Sequence, residues 1–310
     1  MLTNIIYAAA QALILLLVAP LFTGLSRKLR AKIHTRKGPS VLQDYRDFFK
    51  LFSRQDVWPK EAGFVFRSMP VVFLASYFVA AMILPLIGSI SPLPFLAELI
   101  TFIYLLAVPR FIFCVASLDS ASSFAGLGGV RELLVASLVE PALMLSLVVL
   151  SLLAGSTSLM HISAMSLSGN IALPVAYLLA VLAFAFCVYV ELGKLPYDLA
   201  EAEQELQEGP LTEYSGPSLA MLKSSLGLKQ VLMISLFISL VLPFGSPETP
   251  GILSFIVGML ILLIKILLIF VLVSFIENSV ARVRYRYISH QSWISVGVAA
   301  LAFIFYLVGM

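Results

Sequence analysis

Long apolar stretches alternate with short polar segments along the whole chain. Eight stretches of about twenty mostly apolar residues, the length that spans the hydrocarbon of a bilayer as a helix, lie near 5–25, 69–90, 96–118, 132–154, 172–192, 227–244, 253–276 and 291–308. Inside a membrane every backbone polar group must be hydrogen-bonded within the protein, so such stretches fold as helices. The pattern predicts an all-α integral membrane protein, a single transmembrane domain over 1–310 with about eight transmembrane helices.

The composition agrees with a chain that is surrounded by lipid. Its mean hydropathy is +1.02, 60% of its residues are hydrophobic and only 12% are charged. This composition predicts the lipid bilayer as the environment of the chain. With a net charge of only +3, we expect no nucleic acid as a partner. Two cysteines, Cys114 and Cys187, are too few for an iron–sulfur cluster, and the three histidines are scattered. We therefore expect no cofactor and no metal ion in this chain.

The Lys and Arg residues predict the orientation of the helices. Loop 26–68 contains eleven of the 20 basic residues, and six more lie in the loops 119–131, 193–226 and 277–290. The intervening gaps and both chain ends contain none. Because basic loops stay in the cytoplasm, we expect both termini on the outer (periplasmic) side of a bacterial inner membrane and two large cytoplasmic loops, 26–68 and 193–226.

The basic loop 26–68 contains an amphipathic segment, "GPSVLQDYRDFFKLFSRQD". Ser40 with Gln43 predicts a capping box at its start, and apolar residues then recur at helical spacing on one face. Two interpretations are open. The segment is either a helix that anchors the loop in the membrane surface, or a docking surface for a soluble partner.

The second large loop, 193–226, is acidic. The stretch 190–216 contains seven of the chain's 17 acidic residues. Asp198 and the Gly209–Pro210 pair predict a helix start and stop, and on that helix four carboxylates share one face, with Glu203 beside them: Asp198, Glu201, Glu205 and Glu208. Like charges at this spacing repel. The face is either simply solvated or a chain of carboxylates that share protons, because crowded carboxylates titrate as a coupled set.

Three charged residues lie well inside the predicted spans. Glu140, Arg110 and Lys265 fall at nearly the same depth, and a charge at such depth needs a partner. We predict one buried polar cluster in which Arg110 or Lys265 is the counter-ion of Glu140. Glu132, Glu191 and Glu277 lie at span ends, where they either reach for water or continue a line of carboxylates from the acidic loop towards Glu140.

Several motifs resemble a known family. "PYDLAEAEQELQEGPLTEYS" at 196–215, "RKGPSVLQDYRDFFKL" at 36–51 and "GGVRELLVASLVEPA" at 128–142 resemble subunit 1 of respiratory complex I. "LAEAEQELQEGPLTEYSG" and "IENSVAR" are closer to the membrane anchor subunits of formate hydrogenlyase and hydrogenase-4, which belong to the group 4 membrane-bound [NiFe]-hydrogenases. The order and spacing agree across nearly the whole chain.

The resemblance implies a membrane subunit of a hydrogenase complex that docks a soluble redox arm and couples it to proton translocation. The expected partners are the soluble [NiFe] large and Fe–S small subunits and antiporter-like membrane subunits, with the Ni–Fe and Fe–S centres in those partners. The expected proton path comprises Glu140, Glu191, Asp198, Glu201, Glu203, Glu205 and Glu213. Arg110, Arg131 and Lys265 are the expected counter-charges, and the expected docking residues are Arg36, Tyr45, Arg46, Asp47 and Phe48.

Two other functions are compatible with the same pattern. One is the quinone-site membrane subunit of a true respiratory NADH dehydrogenase. The first loop lacks the longer "GPNRVGPxG" form usual in that family, so we assign no quinone site. The other is a stand-alone cation transporter, which would carry a pair of interrupted spans around a midplane site. No such pair stands out.

Overall fold

The computed structural model describes residues 2–87, 91–169, 171–198, 203–245, 251–281 and 285–309. Within these ranges the regular structure is helical, with turns and irregular segments between the helices and an isolated bridge between Glu98 and Ser158. The α-helices are α1 (Leu2–Ile33), α2 (Gln43–Phe52), α3 (Phe64–Ile83), α4 (Leu99–Asp119), α5 (Ser123–Ala154), α6 (Leu159–Ser168), α7 (Pro174–Glu191), α8 (Glu203–Leu206), α9 (Gly216–Val241), α10 (Ile252–Ser279) and α11 (Tyr285–Val308).

Eight of these helices are long and apolar enough to cross a membrane: α1, α3, α4, α5, α7, α9, α10 and α11. The predicted all-α fold with eight membrane helices is therefore confirmed. Several helices extend beyond the predicted apolar spans, because a helix continues past the hydrocarbon into its polar flank. The clearest case is α9, which begins at Gly216 and not near residue 227. The acidic loop is accordingly shorter than 193–226.

The order of the eight long helices defines two sides of the bundle. We call the side with the two long loops, 34–63 and 192–215, the loop side, and the side with the two chain ends the terminal side. Helices α3, α5, α9 and α11 run from the loop side to the terminal side, and the other four run back. The assignment of the loop side to the cytoplasm remains a prediction.

Helix α9 is the most enclosed of the membrane helices, because 78% of its 18-residue apolar stretch is buried inside the protein. It packs against α1, α3, α7 and α10, while α5, α7 and α11 pack against one another beside it. Tyr214, just before α9, stacks on Phe66 with a ring-centroid distance of 4.0 Å. Lys229 and the serines Ser218, Ser225, Ser235 and Ser239 of α9 are therefore enclosed by protein, whereas Lys223 near the start of the helix is exposed.

Two helices on the loop side are capped by carboxylates from elsewhere in the chain. Asp119 accepts a hydrogen bond from the backbone N–H of Phe66 at 3.0 Å, in the first turn of α3. Asp56 accepts one from the N–H of Ser218 at 3.0 Å and one from its hydroxyl at 2.9 Å, in the first turn of α9. The first turn of a helix has unpaired N–H groups and favours negative charge, so these contacts fix the loops to the bundle.

Helix α2 forms, but not with the predicted capping box. It begins at Gln43, the N–H of Gln43 bonds the Ser40 carbonyl, and the Gln43 amide donates to Asp47 at 2.9 Å. Asp44 instead holds α2 to α1, with a 2.8 Å ion pair to Arg27 and a 2.7 Å hydrogen bond from Thr23. Tertiary contacts replace the local cap.

The prediction of one long acidic helix between Asp198 and Glu208 is wrong for the residues that the structure describes there. Only α8, four residues long, is helical there, and a 3-10 helix, Gly209–Glu213, follows it. Gln207 and Glu208 adopt left-handed backbone conformations with φ of 49° and 68°. Repulsion between like charges one turn apart disfavours the long helix, and the loop folds around tertiary partners. Glu201 lies outside the described residues.

Candidate functional site

Arg110 lies at the centre of a buried ionic cluster. Its side chain is only 5% exposed, and its Nη2 lies 2.7 Å from Oε2 of Glu191, which is equally buried. Its Nη1 donates to Oε1 of Glu140. A buried guanidinium needs paired charge to offset its lost hydration. Arg110, and not Lys265, is therefore the counter-ion of Glu140.

Lys229 extends the same cluster on the other side of Glu191. Its Nζ lies 3.1 Å from Oε1 of Glu132 and 3.5 Å from Oε2 of Glu191. A single oxygen of Glu191 therefore lies between two cations. The resulting order of charges is Glu140, Arg110, Glu191, Lys229 and Glu132.

The cluster contains three carboxylates and two cations. When every group is ionised its formal charge is therefore negative, and one added proton makes it neutral. The carboxylates are linked through the cations that they share, so a change of charge at one affects the others. The arrangement is chemically suited to take up, hold and release one proton at a time.

Four membrane helices bring these residues together. Arg110 comes from the middle of α4, Glu191 is the last residue of α7, and Lys229 lies in the middle of α9. Glu132 and Glu140 both lie on α5, eight residues apart, which is about 12 Å of helical rise. The cluster therefore extends along the membrane normal and not only across it.

Lys265 lies apart from the cluster, which corrects the prediction that the three intramembrane charges meet. Its ammonium donates to the carbonyl of Leu242 at 2.6 Å and to that of Phe244, both just beyond the end of α9. Similar depth did not bring Lys265 to Glu140, because its side chain lies against the free carbonyls at the end of another helix. Such carbonyls attract a cation.

A cavity of about 560 Å³ joins the cluster to the loop side. Arg110, Glu132, Glu191 and Lys229 line its inner part, and its other walls include Asp47, Phe48, Lys194, Tyr197 and Asp198. Tyr197 donates a 2.7 Å hydrogen bond to Gln291, and burial raises its pKa to about 12. That hydroxyl stays protonated near neutral pH. Water has space to reach the cluster from the loop side.

The described part of the acidic loop meets basic partners from other helices. Glu205 pairs with Arg131 at 2.6 Å and Glu208 lies 3.9 Å from Lys223. Glu213 is half-buried in the 3-10 helix. Glu203 begins α8, but its side chain lies outside the described residues. Of the predicted proton path, the structure brings Glu140 and Glu191 together and places Asp198 on the cavity wall.

The predicted docking residues divide into two groups. Arg36 and Arg46 are exposed on the loop side. Asp47 and Phe48 line the cavity, and Tyr45 is fixed to α1 by donating its hydroxyl to the Leu17 carbonyl. Of the predicted docking residues, Arg36 and Arg46 are therefore the ones exposed enough to contact a partner protein.

Sequence reasoning missed Lys229 and gave Glu132 no partner. Lys229 falls at the very start of the predicted span 227–244, because that apolar stretch excludes the polar first half of α9. The helix start Ser215–Gly216–Pro217, with proline in the first turn, is the signal that would have placed Lys229 mid-helix. Tyr77, whose hydroxyl is buried beside the cluster, also gave no signal in the sequence.

Among the described residues, no group of three or more His, Cys, Asp or Glu could hold a metal ion.

Comparison with known proteins gives a consistent relationship over the whole chain. The profile of the family described as NADH dehydrogenase matches residues 6–308. Hydrogenase-4 component C of Escherichia coli K12 is 51% identical over 307 residues, which cover 99% of this chain and 97% of that protein. Formate hydrogenlyase subunit 4 of the same organism is 41% identical, with 97% of this chain and 98% of that protein covered.

A solved structure supports the fold. A chain of the membrane-bound sulfane sulfur reductase, an archaeal respiratory membrane complex, superposes with a TM-score of 0.86 and 23% identity, covering 97% of this chain and 99% of that one. At this identity the likeness concerns the fold alone. Together with the sequence matches, it shows that the chain belongs to the NADH dehydrogenase family, whose members include subunit 1 of respiratory complex I.

Proposed function

We propose that this chain is the membrane-anchoring and proton-path subunit of a membrane-bound [NiFe]-hydrogenase complex of the formate hydrogenlyase type. Its similarity to hydrogenase-4 component C and to formate hydrogenlyase subunit 4 over nearly their full lengths supports this assignment. The loop side then faces the cytoplasm of a bacterial inner membrane. The Ni–Fe and Fe–S centres belong to the soluble large and small subunits that dock there.

The observation that carries the proton-path function is the surplus carboxylate in the buried cluster. Glu191 is held by both Arg110 and Lys229. The carboxylates at the two ends, Glu132 and Glu140, each have one cation, and their side chains are 28% and 33% exposed. Adding a proton at Glu132 or Glu140 disturbs one ion pair, whereas adding it at Glu191 disturbs two.

Arg110 is placed to link the two ends. It contacts Glu140 and Glu191 at once, so protonation of Glu140 releases half of its contacts and shifts it towards Glu191. That shift weakens the hold of Glu191 on Lys229 and so alters the ion pair between Lys229 and Glu132. A redox event at the docked arm that alters the charge near the cavity would move the proton by this route.

The docking surface on the loop side includes α2. Phe49 and Phe52 on this helix are 76% and 55% exposed, beside the exposed basic residues Arg46 and Lys50. A rigid apolar patch with a basic rim suits a soluble protein partner. The neighbouring antiporter-like membrane subunits would contact the apolar outer faces of the bundle.

Co-purification tests this proposal. The chain is tagged in its native host, extracted in mild detergent, and the bound proteins are analysed for nickel, iron and hydrogen-dependent dye reduction. We expect nickel with hydrogenase activity. Flavin and NADH oxidation without nickel would instead identify a complex I subunit with a quinone site, and a lone chain that transports cations would identify a transporter.

A further inference from the structure

Tyr77 of α3 places a phenol hydroxyl at the inner end of the cavity. The residue is only 1% exposed and lines the cavity, and its hydroxyl has no hydrogen-bond partner among the residues that the structure describes. Its ring packs edge-on against Phe73 with a centroid distance of 5.1 Å. Burying a hydroxyl without a partner is costly, and a phenylalanine would fill the same space without that cost. The hydroxyl therefore points to a ligand from outside the chain.

The guanidinium of Arg110 provides a second such donor in the same part of the cavity. Its two Nη atoms bind Glu140 and Glu191, while its Nε is buried and unpartnered in the described protein. The Tyr77 hydroxyl lies within electrostatic range of the charged side chains that the cluster presents to the cavity: Arg110, Lys229, Glu191 and Glu132. The two donors therefore share one small region beside the cluster.

This region suits a bound water molecule. A buried water makes about two to four hydrogen bonds and needs on the order of 10–15 Å³. The cavity of about 560 Å³ provides that space and a route from the loop side. A water that accepts hydrogen bonds from the Tyr77 hydroxyl and the Arg110 Nε has both of its own hydrogens left to donate. Glu132 and Glu191 line the cavity and interact with the hydroxyl, so they are the acceptors in range.

We propose that Tyr77 is a positioning residue, which together with the Nε of Arg110 binds one water molecule that delivers protons from the cavity to the cluster. This inference rests on the proposed function and deepens it, because it names the group that admits protons. The bound water gives one proton to Glu132, which has one ion pair to lose where Glu191 has two. It then takes one proton from the next water in the cavity, and no electron is transferred.

Proton translocation per H₂ by the intact complex in liposomes tests the role of the hydroxyl. Tyr77→Phe keeps the ring and its packing. The control Tyr214→Phe removes a similarly buried hydroxyl, which already donates to the Phe66 carbonyl at 2.9 Å. We expect wild-type nickel content in both variants and translocation lowered about threefold or more in Tyr77→Phe alone, because the water loses a partner there. Wild-type translocation in Tyr77→Phe, or an equal fall in both variants, would overturn the inference.

The solvent isotope effect distinguishes a role in proton transfer from a purely structural one. It is measured as the ratio of the translocation rates in H₂O and D₂O. If the water held by Tyr77 carries the proton, its loss makes proton transfer the slow step, so we expect the ratio to rise about 1.5-fold or more in Tyr77→Phe. A lower rate with an unchanged ratio would mean that the hydroxyl only supports the structure, which would contradict the inference.

A variant of the cluster separates this inference from the proposed function. If Glu191→Gln lowers translocation while Tyr77→Phe matches the wild type, the cluster handles protons but Tyr77 does not admit them. If both variants translocate normally, the proton-path function fails as well. In an experimental map of the complex, an ordered water between the Tyr77 hydroxyl and the Arg110 Nε supports the inference. An organic ligand or a dry contact at that position contradicts it.

Discussion

At the scale of single residues, the unusual group is Arg110. A fully enclosed guanidinium with carboxylates on two sides is costly to assemble, and removing one partner of such a set costs more than the pair contributes. Glu191 shares one oxygen between Arg110 and Lys229. This sharing makes the five charges a coupled unit, so that a change at one end is felt at the other.

The coupling of Arg110 with Glu140 can be measured with a double-mutant cycle. We expect Arg110→Met alone to destabilise the complex strongly, because it leaves Glu140 without a cation and Glu191 with Lys229 alone. The Arg110→Met, Glu140→Gln double variant should be more stable than the sum of the single effects, by about 1–3 kcal/mol. Thermal denaturation of the purified complex in detergent measures the difference, and strictly additive effects would contradict the pairing.

At the scale of elements, hydropathy predicted the eight spans because the hydrocarbon selects for length and apolarity. It did not predict contacts between helices, since depth along a helix says nothing of the direction in which a side chain points. Lys265 and Glu140 were assigned similar depths, yet Lys265 contacts the carbonyls that follow α9. Likewise, Glu205 forms an ion pair with Arg131 of α5 and not with a residue of its own loop.

Helix α2 is the element whose role the sequence left open. If it docks the soluble arm, Phe49→Ser should lower the amount of hydrogenase subunits that co-purify with the chain, because an exposed apolar anchor is lost. Phe95→Ser is the matched control, since Phe95 is 69% exposed on the terminal side. Undiminished co-purification in Phe49→Ser would favour the membrane-anchor interpretation of α2.

At the scale of the whole molecule, the bundle combines a cavity that opens on the loop side with a closely packed interior. The cavity opens between the two long loops, and the cluster lies at its inner end, where α4, α5, α7 and α9 meet. The family resemblance and the carboxylates Glu140 and Glu191 were accessible from the sequence. The ion pairs of Glu132 and Lys229 were not accessible, because they depend on which helix faces which. Glu205 and Glu208 of the acidic loop meet cations of the bundle, and both side chains stay about half exposed.

The most direct test of the proton-path function is proton translocation by the reconstituted complex carrying Glu191→Gln. Glu98→Gln is the control, since Glu98 lies at the start of α4 on the terminal side and accepts a 2.6 Å hydrogen bond from Thr157. We expect Glu191→Gln to keep nickel content and dye-coupled hydrogenase activity while protons translocated per H₂ fall about tenfold, and the control to match the wild type. Wild-type translocation by assembled Glu191→Gln complex would contradict the account.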